Sequence, residues 1–263
     1  MEIFTMEFMQ RALIVAVLIS IITPMIGNII VLKRLSSIGD ALSHAGLAGV
    51  AIGLCFGANP VISAVFISVI AALIIEFIRR SFPGYAEIAT SIVLSFAVGI
   101  TAVFSGFIKN AANFNSFLFG SIVAISKAEL CTVVILSLIV LISGILLYRE
   151  LFYITFDEQG AALSGIPVKI VDLVFTLMTA VVVAVASRTV GALVISSLMI
   201  IPVACSMLIS KSYFGNLVLS VLFALIFTVS GLVLTAFFNI KPGGTIVLIG
   251  IAVLIALLPF RKK

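Results

Sequence analysis

Charge is what this chain has least of. Only 10% of its 263 residues are charged, against 63% apolar. Soluble proteins carry about 25% charged residues, and a water-facing fold of this length could not clothe its surface with so few. That excludes a soluble globular enzyme and a disordered chain. The net charge is +5, but the 15 Lys and Arg are scattered between apolar runs. A nucleic-acid reader needs them gathered in a stripe or patch, so that class is excluded too. Histidine occurs once, at His44, which removes multi-histidine motifs such as HExxH. Cys55, Cys131 and Cys205 stand far apart in apolar runs with no CxxC spacing. They read as small packing residues, not as a disulfide framework or a metal cluster. No GxxxxGK[ST] segment occurs, so any ATP hydrolysis belongs to a separate partner chain. The start, MEIFTMEFMQRA, carries Glu2 and Glu7 and a single Arg, unlike a cleavable signal with its positive leading region.

What is present is hydrocarbon-compatible sequence. Mean hydropathy is +1.42. The expected fold is an all-α polytopic membrane protein, one transmembrane domain over residues 1–263, with about eight to nine crossing helices. A crossing needs roughly 20 apolar residues. Charges and Gly/Pro punctuation mark nine candidate spans at 8–32, 38–57, 60–78, 86–108, 128–148, 168–187, 190–209, 214–238 and 243–259. With the N-terminus outside, ten cations (Lys33, Arg34, Arg79, Arg80, Arg149, Lys169, Lys211, Arg261, Lys262, Lys263) fall inside. Five (Arg11, Lys109, Lys127, Arg188, Lys241) fall outside. The positive-inside bias therefore selects this orientation.

Two connections are longer than turns. Residues 109–127 mix Asn110, Asn113 and Asn115 with Phe114, Phe117 and Phe119, which suits an outer interfacial or re-entrant segment. Residues 149–167 lie inside and run from Arg149 and Glu150 through Asp157 and Glu158 to Gly165 and Pro167. They predict a short amphipathic helix ended by Gly and Pro, or else a plain surface loop.

Ionisable residues within spans mark function by default. Glu76, Glu87, Glu129 and Asp172 sit near span ends and read as interface-facing or snorkelling groups. Asp40 and His44 differ. Their i, i+4 spacing puts both on one side of a helix. A carboxylate and an imidazole suit Zn²⁺, Mn²⁺ or Fe²⁺ better than alkali ions. One pair supplies two ligands, and two copies across a two-fold axis would supply four. The alternative is a structural Asp–His hydrogen bond near a helix start. On the same helix, Gly49-x-x-x-Gly53-x-x-x-Gly57, with Ala41, Ala45 and Ala48, makes a smooth surface for close helix approach. Met199 and Cys205 in the span 190–209 could line a path for a soft metal, or simply pack.

Residues 39–51, GDALSHAGLAGVA, closely resemble the signature of the permease subunits of ABC-type divalent metal importers, the zinc/manganese/iron family. Residues 31–36 (VLKRLS), 118–125 (LFGSIVAI) and 190–204 (VGALVISSLMIIPVA) match that family in the same order, and the chain looks most like its zinc-uptake branch. The resemblance implies a fold similar to the vitamin B12-type importer permeases, in the bacterial cytoplasmic (inner) membrane. It implies a homodimer working with a cytoplasmic ABC ATPase dimer and an extracytoplasmic metal-binding protein. The cargo would be Zn²⁺, or Mn²⁺ or Fe²⁺, with no permanently bound cofactor. It places the metal-handling residues at Asp40 and His44, and the ATPase-coupling helix at about 153–167, with Asp157, Glu158, Ala161, Ala162 and Gly165 as contacts. A proton-coupled secondary ion transporter, relaying through His44 and Asp40, is the competing reading.

Overall fold

The structure is a computed structural model describing residues 7–82, 85–108, 111–121, 126–188, 190–238 and 240–260. Its helices are α1 (Glu7–Leu32), α2 (Ser36–Phe56), α3 (Pro60–Ser81), α4 (Ala86–Ser105), α5 (Ala111–Phe119) and α6 (Lys127–Leu146). There follow α7 (Tyr148–Phe156), α8 (Glu158–Leu163), α9 (Val168–Ala186), a 3₁₀ turn (Ala192–Val194), α10 (Ile195–Ile209), α11 (Tyr213–Phe238) and α12 (Pro242–Leu257). Eight of these elements are long and apolar enough to cross a membrane, α10 by including its 3₁₀ turn. The expected ninth span, α12, has 16 residues. At 1.5 Å per residue it rises about 24 Å, short of a hydrocarbon core of about 30 Å.

Helix ends follow local chemistry. Asn59 caps α3, its Oδ1 accepting from the Val61 and Ile62 amides, with Pro60 at the first helical position. Ser126 and Glu129 form a capping box on α6, satisfying two amides that a helix start leaves open. Gly57 closes α2 in a left-handed conformation, φ +69°, where a side chain would be strained.

The centre of the bundle is α2, the most buried span, packed against α3, α4, α9 and α10. The smooth glycine surface is used inside the chain. A Cβ on Gly49 would lie 2.5 Å from the Ser63 carbonyl oxygen, and one on Gly53 would lie 2.7 Å from Ser63 Oγ, so α3 lies directly against α2. At 100° per residue, Asp40 and His44 point roughly opposite to Gly49 and Gly53. The packing surface and the polar pair are separate sides of one helix. The outer ring is formed by α4 and α6, with Phe96, Val103, Ile139 and Leu146 exposed, as lipid-facing positions should be.

Two sequence expectations change here, and that for the outer connection does not. Glu76, Glu129 and Asp172 do not snorkel; they are 4%, 7% and 7% exposed and each is paired with a cation. A lone buried carboxylate would be costly, and pairing with a cation offsets part of that cost. Residues 149–167 form two short helices, α7 and α8, because Asp157 breaks the first and caps the second by accepting from the Gly160 amide at 2.8 Å. The outer connection contains the nine-residue α5, too short to cross; Lys109, Asn110 and residues 122–125 lie outside the described residues, as do Arg261, Lys262 and Lys263.

Candidate functional site

Asp40 is the fifth residue of α2, and His44 follows one turn later. Asp40 is exposed and His44 half-buried on a helix whose neighbours Ala41, Leu42, Ser43 and Ala45 are all buried. Neither the Asp40 nor the His44 side chain makes a hydrogen bond or ion pair among the described residues. The structural alternative, an Asp–His hydrogen bond at a helix start, is therefore not what the fold contains; the N-cap position of α2 is Leu35. The two side chains open toward the outside of a single chain. No group of three or more His, Cys, Asp or Glu side chains able to hold a metal occurs among the described residues.

Sequence reasoning missed what holds this pair in place. The Ser43 hydroxyl donates to the Ala192 carbonyl, so the connection between α9 and α10 folds back to reach α2 beside His44. At Gly39, a Cβ would meet Ser196 Cβ at 3.6 Å and Met199 Sδ at 3.8 Å, which sets the start of α10 against the helix turn carrying Asp40. Met199 and Cys205 are both buried, at 1% and 0% exposure. They pack in the core here, the second of the two readings that the sequence offered for them.

At the outer end, Arg188 follows α9 and is itself buried. Its Nε lies 3.2 Å from Glu129 Oε1 on α6, and its guanidinium sits 4.6 Å from the Phe117 ring centroid of α5. One side chain thus ties three elements through an ion pair and a cation–π contact. Gly191, at φ +96°, packs so closely on α5 that a Cβ would lie 2.5 Å from the Phe119 carbonyl carbon. The signal that could have found the pair is two opposite charges in different outer span ends, neither matched by a neighbour in its own helix.

At the inner end, Lys33 Nζ lies 2.7 Å from Asp172 Oδ1, and Arg79 reaches both Asp172 (3.2 Å) and Glu76 (2.8 Å). Beside this network lie α7 and α8. Of the residues expected to meet an ATPase, Asp157, Glu158, Ala162 and Gly165 are exposed. Ala161 is fully buried and so anchors α8 to the bundle. Gly165 takes φ +85°, the left-handed turn that ends α8 before Pro167.

Comparison with known proteins agrees with this architecture. The ABC 3 transport family matches residues 5–261. A protein of Treponema pallidum named "Probable metal transport system membrane protein" is 34% identical over 97% of this chain and 96% of its own length. The manganese transport system membrane protein MntC of Halalkalibacterium halodurans is 32% identical, covering 94% of this chain and 85% of its own. The high-affinity zinc uptake system membrane protein ZnuB of Buchnera aphidicola is 31% identical, covering 88% and 89%. Among solved structures, PsaBC from Streptococcus pneumoniae in complex with Fab superposes with a TM-score of 0.85 and 28% identity, covering 96% of this chain and 91% of that one. With a family match from end to end and a bundle of the same shape, this chain belongs to the ABC 3 transport family, as a multi-pass permease of the cytoplasmic membrane.

Proposed function

We propose that this chain, as a single transmembrane domain, imports a divalent transition-metal ion, with zinc as the first choice, along a path between two copies of itself. Asp40 and His44 of each copy act as transient ligands. The observation that carries this reading is an unbonded Asp–His pair facing out of the most buried helix, while the buried acids Glu76, Glu129 and Asp172 are each paired. A polar pair left open on a membrane-spanning helix is unfavourable unless something completes it. A second copy would bring the count to four borderline ligands, enough for a tetrahedral site that binds and then releases. Names of relatives support a metal cargo and include both manganese and zinc, so manganese is the specific alternative within the same mechanism.

ATP-driven motion enters through a cytoplasmic ATPase dimer docking on α7 and α8, where Asp157, Glu158, Ala162 and Gly165 offer the contact surface. An extracytoplasmic binding protein delivers the ion to the outer mouth. The test is radiolabelled zinc and manganese uptake by cells making Asp40→Ala or His44→Ala at normal levels. Uptake abolished in both supports the ligand role; full uptake in both sinks it. Uptake by the reconstituted chain alone, driven by a proton gradient without ATP, would instead establish the secondary-transporter reading.

A further inference from the structure

The inner end of the bundle holds a cavity of about 660 Å³ between the α1–α2 turn, the end of α3, the start of α9, and α7–α8. Five cations line it: Lys33, Arg34, Arg79, Arg80 and Lys169. Three carboxylates, Glu76, Glu158 and Asp172, line it too. Pairing leaves a remainder. Asp172 is taken by Lys33 and Arg79, and Glu76 by Arg79 and Arg80. Arg34 and Lys169 are exposed and form no ion pair among the described residues, and Glu158 is the one carboxylate left to oppose them.

Two further observations bear on what the cavity could hold. Arg34 has φ +57°, the one positive-φ residue other than glycine among those described. A side chain is unfavourable there; the conformation belongs to the turn that closes α1, where the Leu35 amide donates to the Ile30 carbonyl, and that turn puts Arg34 among the residues lining the cavity. Second, α3 carries an exposed apolar stripe, Phe66, Ile70, Leu73 and Phe77. The next position of that stripe at helical spacing is Arg80. Its Nη2 donates to the Lys169 carbonyl at 3.0 Å, so the stripe leads straight to the cavity's cationic edge. Basic pockets between membrane helices on the cytoplasmic side suit phosphate head groups.

We propose that this cavity binds a phosphate group, held by Arg34 and Lys169 with Arg80 at its edge. The phosphate comes either from an anionic phospholipid whose acyl chain follows the α3 stripe or from soluble phosphate. Thr155, Phe156 and Glu158 also line the cavity, so an occupant bridges the α1–α2 turn and the α7–α8 pair. The site is independent of the metal reading and stands or falls without it.

The purified full chain, in detergent, is incubated with phosphatidylglycerol or with phosphatidylcholine and examined by native mass spectrometry; a parallel arm titrates inorganic phosphate calorimetrically. Preferential retention of phosphatidylglycerol assigns a lipid source, and saturable phosphate binding assigns a soluble one. In either arm, Lys169→Ala should weaken binding about fivefold and Arg34→Gly with Lys169→Ala about thirtyfold, the worth of one and two interfacial cations. Glycine is chosen at 34 because it accepts φ +57° without strain. Lys169→Ala alone, at an exposed position, decides the matter if the double variant does not purify. Arg149→Ala removes an exposed inner cation outside the cavity and should change nothing. Failure to bind either probe, or an equal loss in Arg149→Ala, overturns the proposal in favour of diffuse attraction to the inner surface.

Discussion

The hydroxyl of Ser43 donates to the carbonyl of Ala192, joining the helix that carries Asp40 and His44 to the turn between α9 and α10. Ser43 is 3% exposed and Ala192 1%, so water cannot replace the bond. Leaving that carbonyl without its donor costs about 1–3 kcal/mol. Ser43→Ala should therefore lower the thermal midpoint of the purified chain and reduce metal uptake severalfold, because His44 is the adjacent residue. Wild-type uptake in a measurably destabilised Ser43→Ala protein would separate the bond from function.

Much of the architecture was legible because membrane spans announce themselves by length alone. Nine apolar runs became eight crossing elements and the shorter α12, and the Asn/Phe-mixed connection held a helix too short to cross. Asp40 and His44 were legible as a pair because i, i+4 geometry is local. What was not legible is what closes over long sequence distances. Lys33 and Asp172 are 139 residues apart, Ser43 and Ala192 149, and Glu129 and Arg188 59. Asp172 and Glu129, read alone, looked like interface-facing or snorkelling groups at span ends, and Lys33 and Arg188 like the flanking cations that set orientation. The glycine pattern of α2 was visible, yet only the position of Ser63 against Gly49 and Gly53 shows that this side meets α3.

Gly191 and Gly99 make a matched contrast. Gly191 has φ +96°, and a Cβ there would lie 2.6 Å from the Gly120 amide nitrogen, whereas a Cβ on Gly99 in α4 meets nothing within 4 Å. Gly191→Ala should cost about 2–5 kcal/mol from strain and overpacking together, and reduce accumulation in the membrane. Gly99→Ala should be neutral or stabilising by about 0.5–1 kcal/mol. Denaturation midpoints of the two purified variants check both signs.

Asp172 serves two cations, with side-chain exposure of 10% for itself and Lys33 and 23% for Arg79. Asp172→Asn strands Lys33 and leaves Arg79 with Glu76 alone, and about 3–5 kcal/mol is the cost of breaking such a pair. Lys33→Met leaves Asp172 with Arg79 and should cost clearly less. Thermal unfolding of the two variants should rank Asp172→Asn as the more damaged; the reverse order would mean that Lys33, not Asp172, organises the network.

Glu129 and Arg188 lend themselves to a double-mutant cycle. Each side chain is 10% exposed, so either single change, Glu129→Gln or Arg188→Met, leaves the other charge buried and should cost about 3–5 kcal/mol. Replacing both removes the stranded charge, so the double variant should be less destabilised than the sum of the singles by about 1–3 kcal/mol. Some loss must remain, because Arg188 also sits over Phe117, a contact worth about 1–2 kcal/mol when desolvated. Phe117→Leu should expose that residue's share by itself. Strict additivity of Glu129→Gln and Arg188→Met would mean that the pair contributes nothing as a pair.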